Sequence, residues 1–164
     1  MTPEPFSLCD DEGRPQLTGM LAGGRLQDTL RIYSEGAPLA AMHYADGLPD
    51  GPCVLLHAPH QPSAHLQYRA GKLHGPAEFH APDGRLLRRA SYRNGRLHGL
   101  QQDYHASGAL FEQTNYRDGV QDGWAERYHL NGRLAERRFY AAGRLAAPAQ
   151  CFDAQGLPQP LLPG

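Results

Sequence analysis

Tyr92-Arg93-Asn94-Gly95-Arg96-Leu97-His98-Gly99 returns 24 residues later as Tyr116-Arg117-Asp118-Gly119-Val120-Gln121-Asp122-Gly123. The same spacing puts Tyr44, Tyr68 and Tyr140 in line with Tyr92 and Tyr116. Three residues after each tyrosine comes a glycine: Gly47, Gly71, Gly95, Gly119 and Gly143. A second follows at Gly51, Gly75, Gly99 and Gly123, and Ala147 breaks that series. A third closes the units at Gly84, Gly108, Gly132 and Gly156. A fixed period of this length is the mark of a repeat architecture, in which each unit needs its neighbours.

Whether the unit is helical or extended is decided by its glycines. Ala, Leu, Arg and Gln are frequent and favour helix, yet the glycine-free runs between Gly71 and Gly143 reach only ten residues, as from Arg85 to Asn94. Helices that short are marginal and would be interrupted at both ends. Asn94-Gly95, Asp118-Gly119, Asp83-Gly84, Ser107-Gly108 and Asn131-Gly132 are hairpin-turn dipeptides at roughly twelve-residue intervals. Leu, Ile, Val and Phe make up about 18% of the chain, too little for a deep core but enough for a thin one. These features predict an all-β fold, an elongated and twisted antiparallel meander of about six 24-residue hairpin units.

Turn geometry also predicts register. A two-residue turn at Asn94-Gly95 puts Tyr92 opposite Leu97. A turn over residues 105–108 then sets Leu97 opposite Tyr116. Continued, the row reads Tyr68, Leu73, Tyr92, Leu97, Tyr116, Gln121, Tyr140, Leu145. Aromatic–aliphatic cross-strand pairs of this kind contribute roughly 0.2–1 kcal/mol each. The second glycine of each unit either leaves room for a tyrosine ring over the backbone or marks a bulge.

The array is read as one domain over residues 1–164. Residues 1–43 form degenerate repeats and a cap, with Met20 in the tyrosine position; 44–147 are regular; 148–164 are a cap and tail ended by Pro158, Pro160 and Pro163. Terminal units of stacked arrays are commonly atypical, and proline blunts an exposed sheet edge. One unit departs from the pattern internally, at His57-Ala58-Pro59-His60-Gln61-Pro62, where a glycine is missing. A long loop is expected there.

The pattern Tyr92-Arg93-Asn94-Gly95 through Gly99, Tyr104, Gly108 and Leu110, repeated as Tyr116 through Gly123, Tyr128, Gly132 and Leu134, resembles the MORN-like repeat of the YwqK-type antitoxin and bacterial immunity protein family. Trp124 sits where that family often carries a tryptophan. The match spans roughly residues 44–157 and weakens from 20 to 43. The resemblance implies a non-enzymatic protein, encoded beside a toxin or secreted effector and neutralising it by binding. The name of the broader repeat implies an alternative, a scaffold on membrane lipid or a cytoskeletal partner.

The chemistry-bearing residues divide into those that the repeat explains and those that it does not. The spine tyrosines Tyr44, Tyr68, Tyr92, Tyr116 and Tyr140, with Gly71, Gly95, Gly119 and Gly143, are explained by strand register. Positions that keep the repeat but vary in charge are candidates for reading a partner: Arg88, Glu112 and Glu136 at one site, Arg89, Gln113 and Arg137 at the next, with Trp124 beside them. His57, His60 and His65 join them because they lie in the irregular unit. No cysteine or spaced carboxylate completes a zinc set with those histidines, so no metal and no cofactor is expected. No serine or cysteine stands in a nucleophile elbow, and no Lys-Ser or Lys-Thr follows the glycines as a phosphate loop requires. The expectation is a protein that is not an enzyme.

Charge divides along the chain. Residues 1–66 carry three Arg against eight acidic residues; residues 67–164 carry thirteen Lys or Arg against nine. A dipole of this kind, at net charge −1, favours oriented protein partners over nucleic acid. Lipid binding wants a contiguous basic face, and Glu112 and Glu136 interrupt Arg88, Arg89, Arg137 and Arg138. Cys9, Cys53 and Cys151 are odd in number and widely spaced, so no disulfide framework follows. Met1 to Gly13 has neither a basic start nor an apolar run, and no stretch reaches membrane-spanning length. A cytoplasmic location is expected.

Overall fold

The computed structural model describes residues 2–160, and every regular element among them is a strand. Pro163, read above as part of the tail, lies outside the described residues. The chain divides into two compact units, Met1–Gly84 and Arg85–Gly164. The first holds β1 (Glu4–Cys9), β2 (Pro15–Ala22), β3 (Arg25–Ser34), β4 (Ala37–Ala45), β5 (Leu48–Ala58), β6 (Gln61–Arg69), β7 (Lys72–Leu73) and β8 (Gly75–His80). The second holds β9 (Leu86–Arg93), β10 (Arg96–Leu97), β11 (Gly99–Tyr104), β12 (Leu110–Arg117), β13 (Val120–Tyr128), β14 (Leu134–Ala141), β15 (Arg144–Leu145), β16 (Gln150–Phe152) and β17 (Pro158–Gln159). Within each unit, strands pair antiparallel with their sequence neighbours, which is the meander that the turn dipeptides predict.

Two kinds of turn alternate. At Asn94-Gly95 both residues are left-handed, with φ of 51° and 82°, and Asp118-Gly119 repeats this at 50° and 92°. That is the conformation of a type I′ turn, whose twist matches the flanking strands. At Ser107-Gly108 only the glycine is left-handed. There Gly108 N donates to His105 O (2.9 Å) and His105 N to Ala109 O (2.8 Å), so the loop is longer than two residues. Asp83-Gly84 and Asn131-Gly132 follow the same pattern, with only the glycine left-handed.

The longer loop corrects the predicted row. Tyr92 does lie opposite Leu97, Tyr116 opposite Gln121, Tyr140 opposite Leu145 and Tyr68 opposite Leu73. On its other side, however, Tyr116 faces Gly99, not Leu97, and Tyr140 faces Gly123, not Gln121. One residue of the offset comes from closing the loop at His105 and Ala109. The other comes from a bulge that leaves Phe111 unpaired between the Asp103–Glu112 and Tyr104–Leu110 pairs.

The second glycine is the bulge of the two alternatives. Register across β9 shifts by two residues between Leu97–Tyr92 and Gln102–Arg89, and His98 N donates to Ser91 O at 2.8 Å inside the gap. Gly99 and Gly123 hold φ of 99° and 110° there. A Cβ on Gly123 would meet Asn115 Cβ at 3.2 Å, so the vacant space borders the residue before the tyrosine, not the ring. In β3, Asp28 at φ 64° accommodates the same shift without glycine.

The expected long loop at His57 to His65 is absent. β5 and β6 run to a tight turn at Pro59-His60, with Ala58 paired to Gln61. Proline sets φ near −65° and His60 takes a left-handed φ of 63°, as a type II turn requires. The missing glycine is replaced by a histidine that adopts its conformation.

The core is thin and built from short side chains closed over by longer neighbours. In the first unit Cys53 is 1% exposed between Met42 and Leu66, and Ala64 is buried between Leu55 and Phe79. In the second, Ala90 and Thr114 are the buried residues among those described.

Candidate functional site

Side chains alternate across a strand, so even and odd positions of β9, β12 and β14 lie on opposite faces. Arg88, Glu112 and Glu136 share the face of Tyr92, Tyr116 and Tyr140. Arg89, Gln113 and Arg137 lie on the other. The charge-variable positions singled out in the sequence therefore split between two surfaces.

On the tyrosine face of the second unit the charges satisfy one another. The row runs Arg88, Asp103, Glu112, Arg127, Glu136 through consecutive pairings. Arg88 Nε meets Asp103 Oδ1 at 2.5 Å, Arg127 Nη1 meets Glu136 Oε2 at 3.6 Å, and Arg138 adds a second cation to Glu136. The Glu136 carboxylate holds the Arg138 guanidinium above its usual range. Among the described residues, four of the five ions of the row have a partner of opposite charge within the sheet; Glu112 accepts only from Thr114 Oγ1, at 3.4 Å.

The opposite face is different. Its polar row is Arg89, Gln102, Gln113, Glu126, Arg137, Gln150. Gln113 Nε2 donates to Glu126 Oε2 (2.7 Å) and to Tyr128 Oη (2.9 Å), and Tyr128 Oη donates to the same Glu126 oxygen (2.8 Å). Burial and the Glu126 carboxylate push the Tyr128 phenol up to about 12, since both disfavour a phenolate. Glu126 is thus committed to Gln113 and Tyr128 although Arg137 is its cross-strand neighbour.

Beside that row stand two further cross-strand pairs, Leu100 with Asn115 and Trp124 with Phe139. Trp124 is 42% exposed, with the Phe139 ring edge-on at 5.0 Å and the Arg137 guanidinium carbon 5.0 Å from its centroid. Asn115 Nδ2 donates to the Trp124 carbonyl at 3.1 Å. An exposed Trp held by an aromatic edge and a stacked guanidinium has the composition of a binding anchor. Arg137 Nε also donates to Gln150 Oε1 at 2.7 Å. Next to it opens a hollow of about 450 Å³ lined by Arg137, Ala149, Gln150, Phe152 and Pro158.

The three candidate histidines separate in the first unit. His57 Nε2 lies 2.9 Å from the His80 carbonyl, as His129 Nε2 lies 2.9 Å from the Phe152 carbonyl. His57, His105 and His129 are spaced by multiples of the repeat, so His57 belongs to the pattern and ties one hairpin to the next. His60 is a turn residue. His65 packs edge-on against His80 at 5.7 Å and borders an open hollow of about 330 Å³ with Pro52, Val54, Gln67, Pro76 and Glu78. Among the described residues no group of three or more His, Cys, Asp or Glu is placed to hold a metal ion. No helix among them is long and apolar enough to cross a membrane.

Sequence reading named Trp124 and Arg137 but missed Phe139, Gln150 and Phe152. Phe139 had a signal: the residue before each spine tyrosine is His43, Gln67, Ser91 and Asn115, and only before Tyr140 is it apolar.

Neither a protein-family profile nor a curated protein matches the chain. Among solved structures it is similar to part of S. aureus TarM in complex with Fondaparinux, alpha-GlcNAc-glycerol and UDP, at 10% identity and a TM-score of 0.30. That match covers 72% of this chain and 21% of the other. A second TarM structure matches at 11% identity and a TM-score of 0.28, over 67% of this chain and 19% of that one. The chain spans about a fifth of the length of these structures. Similarity at this level assigns it neither their fold nor their activity.

Proposed function

We propose that the chain is a protein-binding repeat module that acts as an antitoxin or immunity protein, covering a toxin or secreted effector and so blocking it. The observation that carries the binding part is the Trp124–Phe139–Arg137 cluster. A large aromatic side chain remains 42% exposed there while a cation and a second ring fix its orientation. Keeping such a group in water is unfavourable unless something covers it, and pre-positioned anchors lose little entropy on binding. The antitoxin part is supported by the resemblance of the repeat at Tyr92 to Gly99 and Tyr116 to Gly123. The mechanism is occlusion and asks for no reacting group on this chain.

Co-expression with the product of the adjacent gene tests the reading. The two proteins are expected to co-purify and the toxicity of the neighbour to be relieved. Failure of either would sink it. The scaffold alternative is decided by sedimentation with anionic vesicles. The paired tyrosine-face row predicts that the protein stays in the supernatant.

A further inference from the structure

We propose that the Trp124 face of the second unit docks an extended acidic segment of a protein partner, with one carboxylate on the Arg137 guanidinium and an apolar side chain in the neighbouring hollow. The proposal rests on the protein-binding reading above and identifies the surface and the chemistry it takes.

Arg137 differs from the ion-paired arginines of its unit. Arg88, Arg93, Arg117, Arg127 and Arg138 each have a carboxylate within ion-pair distance. Among the described residues Arg137 has none: its Nε is satisfied by the neutral Gln150 amide and its guanidinium carbon lies over the Trp124 ring, 5.0 Å from the centroid. Its cross-strand neighbour Glu126 is held by Gln113 and Tyr128 instead. A guanidinium held at Nε and placed over an aromatic ring keeps its two terminal nitrogens for a ligand, and that fork matches a carboxylate.

Position supplies the rest. β13 and β16 flank β14, so Arg137 lies between Trp124 on one side and Gln150 on the other. A segment crossing these strands passes from the Trp124–Phe139 surface over Arg137 to the hollow of about 450 Å³ lined by Phe152 and Pro158. That volume is within the range of about 300–1,000 Å³ usual for ligand-accepting clefts. Residues 85–164 carry eleven arginines against seven acidic residues, so the unit as a whole attracts an acidic partner.

Trp124 is the sole tryptophan of the chain, so its emission reports on this surface alone. The probe is a soluble peptide of repeated Glu-Leu-Ser, compared with Lys-Leu-Ser and Gln-Leu-Ser counterparts, titrated into the full chain. A saturable change in Trp124 emission is expected with the acidic peptide only, weakened by added salt. Arg137→Gln is expected to weaken binding about tenfold or more, the loss of a charge-assisted pair. Arg137→Lys keeps the charge without the fork and should fall between. It also serves as the second variant if Arg137→Gln does not fold, as judged by circular dichroism. Equal response to the lysine peptide, no saturable change, or wild-type affinity in Arg137→Gln overturns the proposal. If the peptide fails but the adjacent gene product still co-purifies with Arg137→Gln, the surface is wrong and the protein-binding function stands. If the peptide binds but no neighbour co-purifies, the antitoxin reading fails and the surface stands.

Discussion

In the first unit the row Ala40, Leu55, Ala64, Phe79 crosses the sheet through consecutive pairs and is apolar throughout. The repeat-equivalent positions of the second unit hold Arg88, Asp103, Glu112, Arg127 and Glu136, all charged. The backbone of the two rows is equivalent. What differs is how each row is filled: long apolar neighbours close over alanines in one, and two cross-strand ion pairs, Arg88–Asp103 and Arg127–Glu136, flank Glu112 in the other. The repeat therefore does not depend on a particular core. It depends on turns and bulges that recur identically, and side chains are free to specialise. The first unit spends that freedom on burial, the second on a largely paired ionic face that leaves the opposite surface to Trp124 and Arg137.

The comparison breaks most directly by exchanging the two fillings. Ala64→Glu places the residue type of Glu112 between Leu55 and Phe79, with no cation in the row. Burying that charge is expected to cost about 3 kcal/mol or more, read by urea unfolding. Glu112→Ala in the second unit should cost only about 1 kcal/mol or less, because its ladder is half in water. Equal losses would show that the two rows are not alternative solutions.

Bulges should rank above turns if the shared backbone carries the fold. Gly123→Ala combines a φ of 110° with a 3.2 Å approach to Asn115 Cβ, and a loss of about 1–3 kcal/mol is expected. Gly108→Ala, left-handed at 84° with nothing within 4 Å, should cost about 1 kcal/mol. Thermal melts of the two variants give the order, and a reversed order would place the register in the turns.

A smaller effect distinguishes the polar ladder of the second unit. The Tyr128 phenol ionises near pH 10 in an unfolded chain and at about 12 in the folded one. Its contribution is fully present below pH 10 and is lost as pH rises toward 12, because the unfolded state releases its proton first. Tyr128→Phe should flatten the decline in stability over that window. An unchanged slope would mean that the Glu126–Gln113–Tyr128 network is not formed. The smallest effect is expected at the exposed Arg93–Asp118 pair, 2.9 Å apart, where Arg93→Gln should leave the urea midpoint almost unchanged and added salt should mask any difference.

Much of the fold could be read from local chemistry. Asn94-Gly95 and Asp118-Gly119 specify a type I′ turn by themselves, since both residues must be left-handed. Register beyond the first pair could not be read so simply. Ser107-Gly108 looks like the same dipeptide, but only its glycine turns left-handed, and the added residue and the Phe111 bulge move Tyr116 from Leu97 to Gly99. His57 differs for the opposite reason: a glycine is missing near it, yet its alignment with His105 and His129 places it inside the repeat. At the candidate site, Trp124 and Arg137 were visible as exceptions, and Phe139 was visible in principle. The hollow was not, because Phe152 and Pro158 join it only through the pairing of β16 with β14 and β17.

By itself the sequence determined the strand-and-turn alternation and the period, since left-handed glycine positions and short runs between them act over a few neighbouring residues. Only the tertiary structure decided which charges cancel and which stay available. Arg88 and Arg89 are adjacent in sequence, yet alternation sends them to opposite faces. Glu126 and Arg137 are cross-strand neighbours, yet the Tyr128 hydroxyl and the Gln113 amide hold the carboxylate and Trp124 holds the guanidinium. Competition among several partners at hydrogen-bond distance settles such choices, and those partners meet only once the strands are paired.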